Sequence, residues 1–189
     1  MSEVPRPVLG LDLAAVKSGY AVLHAGEILA VGTITAPPAA GEKRTAEDNM
    51  HRLDVVTHMV EVLLDRYRPG LAVLEDYAPG AKGSAAHRLA EISGAVRLAC
   101  RRRAVPLALV GVRQVKQYAT GSGTAAKSTM AVALYKRTGL ELSEDEVDAW
   151  WIAAMGADHL GHPPAVLPAA QRAVLDRITW PETGQGVIL

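Results

Sequence analysis

The spacing of apolar residues changes along the chain, and this change limits the possible folds more than any other feature. Three consecutive segments near the start have strand-like composition with turn residues between them: residues 8–14, 18–24 and 27–34. They predict three strands joined as a meander. From residue 42 to residue 67, apolar residues recur every three or four positions, which predicts a helix with one apolar face.

The rest of the chain alternates between short apolar runs and helical patterns. Residues 71–74 and 106–110 are too short and too uniformly apolar for helices, so they predict strands buried on both faces. The predicted helices are residues 83–103, 124–137 and 144–158. This order predicts an α/β protein whose mixed sheet is flanked by helices. We expect one domain over residues 1–160 and a tail over 161–189 with a short helix near 171–178.

Composition and charge exclude several classes of protein. Of the 189 residues, 49% are apolar, which argues against disorder, and a single cysteine, Cys100, excludes an internal disulfide. The chain opens without a signal-peptide pattern and has no apolar run long enough to span a bilayer, so we expect a cytoplasmic protein without a membrane partner.

The charges are unevenly distributed, although their formal sum is zero. Nine basic residues and no acidic residue lie between Glu91 and Glu141, and a cluster of acids follows directly. A nuclease needs such a pair of surfaces, because phosphates must be attracted while carboxylates hold a metal ion. Two ordinary solvated faces would give the same charge pattern.

Asp12 interrupts the apolar first strand. An ionised carboxylate in a buried strand is unfavourable unless a cation or hydrogen-bond donors compensate it. Its neighbours on the same face, Gly10 and Ala14, are small, which would leave room for a metal ion or a phosphate. The alternative is an aspartate that caps the turn after the strand.

Glu75 ends the predicted strand at 71–74, at the carboxyl edge where open α/β sheets bind ligands. Asp76 follows it, and side chains alternate along a strand, so these two acids face opposite sides of the sheet. The sequence does not tell which of the two faces the site.

Two further acids, Asp145 and Asp148, begin the last predicted helix. Their spacing of three places them on one helical face, directly before an apolar stretch at 149–155. Ser143 and Glu146 fit a capping box, so acids at this position also serve the helix terminus. Together with the strand acids, this pair predicts a site of oxygen ligands suited to Mg²⁺ or Mn²⁺.

At these positions the chain resembles the RuvC-type Holliday junction resolvases of the RNase H-like superfamily. The resemblance rests on Gly-Leu-Asp-Leu around Asp12, Leu-Glu-Asp-Tyr around Glu75 and Asp-x-x-Asp-Ala from Asp145. Residues 113–117 and 121–128 are similar to the RuvC segment that carries two basic residues important for junction DNA. The matches cover roughly residues 8–155.

The resemblance implies a metal-dependent endonuclease that resolves four-way DNA junctions by paired cuts. It implies two Mg²⁺ ions per active site, for which Mn²⁺ substitutes. The implied catalytic and metal-binding residues are Asp12, Glu75, Asp145 and Asp148. The implied DNA-binding residues are Arg113, Lys116 and Lys127, with Tyr77 stacking on a base near the crossover. Whether a helicase is a partner is left open.

The resemblance also implies a homodimer, because a four-way junction presents two equivalent strands to be cut. The candidate interface is the helix at 83–103, where Gly94 would mark the close approach of another helix. Its apolar stripe either packs against its own copy or covers the sheet. The stripe consists of Ala85, Leu89, Ile92, Val96 and Ala99.

Several alternatives stay open. The chain could be an RNase H-like nuclease acting on other branched DNA or RNA, or a junction-binding protein that does not cut. Residues 121–128 are one glycine short of a P-loop, which would indicate nucleotide binding. Asp158, His159 and His162 suggest a second metal site, or histidines that complement a helix C-terminus.

Overall fold

A computed structural model describes residues 5–36, 45–76 and 84–182. Within these residues the strands are β1 (Val8–Asp12), β2 (Lys17–His24), β3 (Glu27–Thr35), β4 (Leu71–Asp76) and β5 (Leu107–Gly111). The helices are α1 (Ala46–Tyr67), α2 (Ser84–Arg102), α3 (Val112–Thr120), α4 (Lys127–Thr138), α5 (Glu144–His159) and α6 (Ala169–Arg172). A 3₁₀ turn at Leu175–Arg177 follows α6.

The strands form one mixed sheet in the order β3-β2-β1-β4-β5. The first three strands are an antiparallel meander, whereas β4 and β5 continue from β1 in parallel. Helices α1 and α2 cover one face, and α5 covers the other face with α3 and α4 beside it. The predicted α/β fold with a mixed sheet is confirmed.

Helix α1 begins and ends at clear local signals. The Thr45 hydroxyl accepts a hydrogen bond from the Asp48 backbone N–H at 3.1 Å, and the Asp48 carboxylate accepts one from the Thr45 N–H at 2.8 Å. The helix therefore starts at Ala46 rather than at residue 42; residues 42–44 lie outside the described part of the chain. It ends at Tyr67, and the following Arg68 has a left-handed φ of 44° and donates its N–H to the Leu64 carbonyl.

Helix α5 lies unusually close to the sheet, because two glycines face it. A Cβ added at Gly10 would overlap with backbone atoms of Ala149 and Ala153, and one added at Gly19 would overlap with the Asp145 carbonyl. The small residue beside Asp12 therefore makes room for a helix. The prediction that Gly10 leaves space for a metal ion or a phosphate is wrong.

Helix α3 was not predicted, because residues 113–120 read as a polar segment. It buries only Val115, Tyr118 and Ala119 on one side. The Gln114 side chain accepts a hydrogen bond from the Gly111 N–H at 2.7 Å, which caps its start. Since a P-loop follows a strand directly, a helix before residues 121–128 contradicts the nucleotide-binding alternative.

The apolar stripe of α2 faces the interior of its own chain. Leu89 packs against the core, and Ile92, Val96 and Ala99 are fully buried there, between the sheet and α1. The side chain of Ala85 lies outside the described residues. The prediction that this stripe forms a dimer interface is wrong. Gly94 is exposed, and an added Cβ would meet no described atom within 4 Å, so none of the described helices approaches it.

The tail after α5 folds back onto the core. Leu167 and Val174 are buried in the cluster that also contains α5. Arg172 holds the buried Asp158 carboxylate at 2.6 Å, and His159 stacks on Trp180 with ring centroids 4.2 Å apart. A domain boundary near residue 160 stays a prediction. Along the described residues, no helix is long and apolar enough to cross a membrane.

Candidate active site

The two strand acids lie at one edge of the sheet. Asp12 is the last residue of β1, and Glu75 lies near the end of β4. The residues directly before them, Leu11 and Leu74, are paired in parallel register. Both acids therefore lie side by side at the carboxyl edge of the parallel strands, where the sheet opens onto α3 and α5.

The two helix acids reach the same edge of the sheet from α5, which packs on one face of the sheet. Asp145 and Asp148 lie near the start of α5, which packs over β1 and β2. The Glu146 carboxylate instead accepts a hydrogen bond from the Ser143 N–H at 2.8 Å, so this acid caps the helix. Asp148 is buried, and the charges of Asp145 and Asp148 both act on Asp12. The structure thus brings all four candidate acids together.

Burial dominates the electrostatics of Asp12. Burial and, after it, the charge of Asp148 together raise the pKa of the carboxyl group to about 7, against the charge of Lys127. Burial also raises the pKa of Asp148 itself, although a hydrogen bond from Lys127 opposes this. Near neutral pH Asp12 is therefore poised between its protonated and ionised forms.

Glu75, rather than Asp76, faces the site. Burial, followed by the charges of Asp12 and Asp148, raises the pKa of Glu75 to about 8. Asp76 points to the other face of the sheet, where its carboxylate accepts a hydrogen bond from Arg97 of α2 at 3.1 Å. Side chains alternate along β4, so Glu75 and Asp76 lie on opposite faces of the sheet, as expected. The contact of Asp76 with Arg97 of α2 identifies Glu75 as the acid on the side of the site.

Two lysines pair with the acids of α5. The Lys127 ammonium lies 2.8 Å from the Glu144 carboxylate and 3.0 Å from the Asp148 carboxylate. Burial disfavours the charge of Lys127, but the two hydrogen bonds outweigh it and raise its pKa. The Lys17 ammonium lies 3.0 Å from the Asp145 carboxylate.

The donor set fits a hard divalent cation. Carboxylate oxygens are the ligands that Mg²⁺ and Mn²⁺ prefer, and buried Asp12 and Glu75 favour their charged forms only when a cation compensates them. In the conformation of the described residues, however, no three acidic, histidine or cysteine side chains surround a point that could hold a metal ion. Lysine ammonium groups hold the α5 acids instead.

The candidate DNA-binding residues lie beside the acids. Lys116 of α3 is near enough for its charge to lower the pKa of Glu75, and Lys127 begins α4. Arg113 is exposed one helical turn before Lys116. Tyr77, the candidate stacking residue, lies outside the described residues.

Two alternative roles for site residues are contradicted. The hydroxyl of Ser18, rather than the Asp12 carboxylate, accepts a hydrogen bond from the Ala14 N–H at 3.0 Å and closes the turn after β1. A second metal site near the end of α5 does not form among the described residues. Asp158 is instead bound by Arg172 and by the Tyr118 hydroxyl at 3.0 Å, and His159 stacks on Trp180.

Sequence analysis missed Lys17 and the contact of Glu144 with Lys127. Lys17 begins β2, two residues before Gly19, which pairs with Asp12 across the meander. The antiparallel register of the first hairpin was therefore the signal that could have identified Lys17. Glu144 was interpreted only as an acid that complements the helix terminus.

A mixed sheet of this order, with acids on β1, on β4 and on the helix that crosses them, defines an RNase H-like fold. A sequence profile described as "Crossover junction endodeoxyribonuclease RuvC" matches residues 8–154. The chain therefore belongs to the RuvC family of crossover junction endodeoxyribonucleases, which are metal-dependent nucleases. The resemblance found in its motifs is confirmed.

Individual members are similar over most of the chain. RuvC of Nocardia farcinica is 27% identical over 158 residues, which are 83% of this chain and 82% of that protein. RuvC of Corynebacterium jeikeium is 28% identical over 158 residues, which are 82% of this chain and 94% of that protein. The structure of Thermus thermophilus RuvC in complex with Holliday junction substrate matches with a TM-score of 0.67 at 23% identity, covering 85% of this chain and 99% of that one. This structural match shows a shared fold.

Proposed function

We propose that this chain is an endonuclease that resolves Holliday junctions by paired hydrolysis of phosphodiester bonds. The observation that carries the proposal is the convergence of four acids from distant parts of the sequence beside two basic residues. The acids are Asp12, Glu75, Asp145 and Asp148, and the basic residues are Lys116 and Lys127. Clustered acids of this kind hold metal ions, whereas the basic residues attract the phosphates of the substrate.

The proposed cofactor is a pair of Mg²⁺ ions, for which Mn²⁺ substitutes. Metal ions in such a pair activate a water molecule and stabilise the leaving oxygen. Asp12 is the residue best placed to contact both ions. Besides burial, the charge of Asp148 raises the pKa of Asp12, and the charge of Asp12 raises the pKa of Glu75, so Asp12 lies between the other two acids in these interactions. Glu75 would hold an ion from the strand side, and Asp145 and Asp148 would do so from the helix side.

The proposed phosphate contacts lie where α3 and α4 meet the acids. Helix α4 begins at Lys127 after Ala126, and no described side chain caps it, so its first N–H groups can reach a phosphate together with the lysine ammonium. Lys116 and Arg113 extend this basic surface along α3. Stacking by Tyr77 stays a prediction, as does a cytoplasmic location.

A homodimer is part of the proposal, and the outer face of α2 is the surface that suits it. Leu98 is 45% exposed there, and Gly94, one turn earlier, is exposed without a neighbour within 4 Å of an added Cβ. A glycine on an open helix face allows the backbone of a second helix to approach closely. Two copies related by a two-fold axis would present two active sites to the two equivalent strands of a junction.

The function is tested by incubating the full-length protein with a four-way junction, a replication fork, a linear duplex and an RNA–DNA hybrid, each with Mg²⁺, with Mn²⁺ and with a chelator. We expect symmetric paired cuts in the junction with Mg²⁺ or with Mn²⁺, and no cuts with the chelator. Asp12→Asn should bind the junction without cutting it, whereas the exposed Asp54→Asn should cut normally.

Other outcomes would favour the alternatives. Preferred cleavage of forks or of the hybrid would indicate a related nuclease with another substrate. Tight binding to the junction without cleavage by the wild-type protein, at any metal concentration, would indicate a binding protein instead.

A further inference from the structure

Lys17 is fixed opposite an acid of the site although it belongs to none of the candidate motifs. Its ammonium nitrogen lies 3.0 Å from the Asp145 Oδ2 atom, and the two side chains are 45% and 25% exposed. The contact follows from the backbone, because Gly19 lets the first turn of α5 approach β2 so closely that an added Cβ would overlap with the Asp145 carbonyl. Lys17, two residues before Gly19 on β2, is thereby held next to Asp145.

The pairing of Lys17 occupies an acid that the proposed metal site needs. Asp145 has Lys17 as its salt-bridge partner, and Lys127 bridges Glu144 and Asp148. Two ammonium groups thus pair with three acids on α5 and offset part of their charge. This agrees with the finding that the described acids do not yet surround a metal position.

We propose that Lys17 is a built-in counter-ion that holds the Asp145 carboxylate over β2 in the metal-free protein and that a divalent cation must displace it. The inference rests on the proposed function, because it assigns a competitor to the same metal site. Lys17 is in this sense a positioning residue: it does not contact substrate, but it determines where the Asp145 oxygens lie before the metal binds.

Two physical effects make Lys17 oppose metal binding. The salt bridge keeps Asp145 away from a position in which it could share an ion with Asp148. The positive charge also repels an incoming divalent cation, and this repulsion acts over a Debye length of about 8 Å at physiological ionic strength. Lys127 has a second use in the proposed function as a phosphate contact, whereas Lys17 has none, so its removal isolates the effect on the metal.

The test measures the binding of Mn²⁺ to the full-length protein in the absence of DNA. Calorimetry gives the affinity, and the electron paramagnetic resonance signal of free Mn²⁺ measures it independently. Lys17→Met should bind Mn²⁺ about 3- to 10-fold more tightly than the wild type, and Lys17→Gln should do the same. Lys17→Arg keeps the charge and should bind like the wild type. The matched control is Lys136→Met, which removes an exposed lysine from the other end of α4 and should leave the dissociation constant unchanged.

The outcomes separate this inference from the proposed function. Unchanged or weaker Mn²⁺ binding by both neutral variants, with normal binding by the wild type, would overturn the role of Lys17 alone. Absence of Mn²⁺ binding in the wild type would overturn the proposed metal site itself. A gain of affinity in Lys17→Arg equal to that in Lys17→Met would show that side-chain shape, rather than charge, is responsible, and would also overturn the inference.

Discussion

At the scale of single residues, the acids of the site are held in an environment that opposes their ionisation. Asp12 and Glu75 have pKa values raised to about 7 and about 8, chiefly by burial and then by neighbouring acids. The charge of Lys127 lowers the pKa of both acids, and the charge of Lys116 lowers that of Glu75. A metal ion that binds here must therefore displace protons as well as ammonium groups.

The raised pKa values predict a specific dependence on pH. In the unfolded chain, Asp12 and Glu75 release their protons at their ordinary pKa values of 3.8 and 4.5. In the folded metal-free protein, both residues keep these protons to higher pH. The free energy of unfolding should therefore fall as pH rises from about 4 toward 7 and 8. Conversely, affinity for Mn²⁺ should rise between pH 6 and 8, with release of protons.

Calorimetry of Mn²⁺ binding in buffers of different ionisation enthalpy measures the released protons directly. Asp12→Asn should stabilise the metal-free protein at pH 8 by about 2 kcal/mol, because it removes a buried charge. The exposed Asp54→Asn should leave the stability unchanged. Binding of Mn²⁺ without proton release across this range would contradict the assignment of raised pKa values.

A second prediction at this scale concerns the phosphate contact. Lys127→Ala should reduce junction cleavage about tenfold or more, because it removes a charged hydrogen bond at an uncapped helix start. Lys136→Ala removes the same charge from the last turn of the same helix and should have a small effect. If both variants lose cleavage equally at several salt concentrations, the basic residues act as a diffuse surface rather than through one contact.

At the scale of secondary structure elements, the contact of α5 with the meander positions the site. Gly10 and Gly19 allow the backbone of α5 to lie against β1 and β2. This close contact places Asp145 and Asp148 of α5 next to the sheet. The geometry of the acids therefore depends on two residues that carry no functional group.

We predict that Gly19→Ala destabilises the protein by about 1–3 kcal/mol and weakens Mn²⁺ binding, because the added methyl group would push α5 away from β2. Gly111→Ala is the matched control in the same sheet, since its Cβ would meet only the Gln114 side chain, at 3.4 Å. Urea unfolding and Mn²⁺ titration measure the two effects. Equal stability of both variants would show that α5 can shift freely.

The elements also show how far sequence patterns reach. Strands β1 to β5 and helix α5 were predicted nearly to their ends, because their apolar periods are long or bounded by turn residues. Helix α3 was missed, since its nine residues contain a single buried face of three. Helix α4 starts at Lys127 rather than at residue 124, and no described side chain marks that start.

Within the candidate site, the sequence proposed the four acids as candidates, which stays a prediction, but it did not indicate the lysines that pair with them. The choice between Glu75 and Asp76 depends on which helix covers each face, and Lys17 depends on the hairpin register. The cover of each face is a long-range packing fact that no local pattern contains, whereas the hairpin register was a local signal that was not used. The apolar stripe of α2 was a candidate dimer interface for a similar reason. An apolar helix face has the same sequence pattern whether it packs against α1 or against a second chain.

At the scale of the whole molecule, the two faces of the sheet have different tasks. Helices α1 and α2 cover the face away from the acids, whereas α3, α4 and α5 surround them. Leu98 and Gly94 are exposed on the outer face of α2 among the described residues, so the proposed contact with a second copy there would not obstruct either active site.

We predict that Leu98→Glu converts the proposed dimer into a monomer, because it places a charge in the centre of a self-complementary helix contact. The variant should still bind Mn²⁺ but should lose paired cuts and leave single nicks. Leu29→Glu, a comparably exposed leucine on β3, is the matched control and should stay dimeric. Light scattering with and without junction DNA decides, and a wild-type protein that is monomeric in both states would refute the dimer.

The origin of the acids at three distant points of the chain has a consequence for biosynthesis. When a ribosome has produced the strands with Asp12 and Glu75, the face of the sheet that α5 will cover is still bare. At about 5–20 residues per second, Asp148 follows Glu75 after roughly 4–15 seconds. During this interval the nascent chain holds neither all four candidate acids nor a closed core, so it cannot cut DNA. Nuclease activity therefore begins only when α5 has left the ribosome and folded onto the meander.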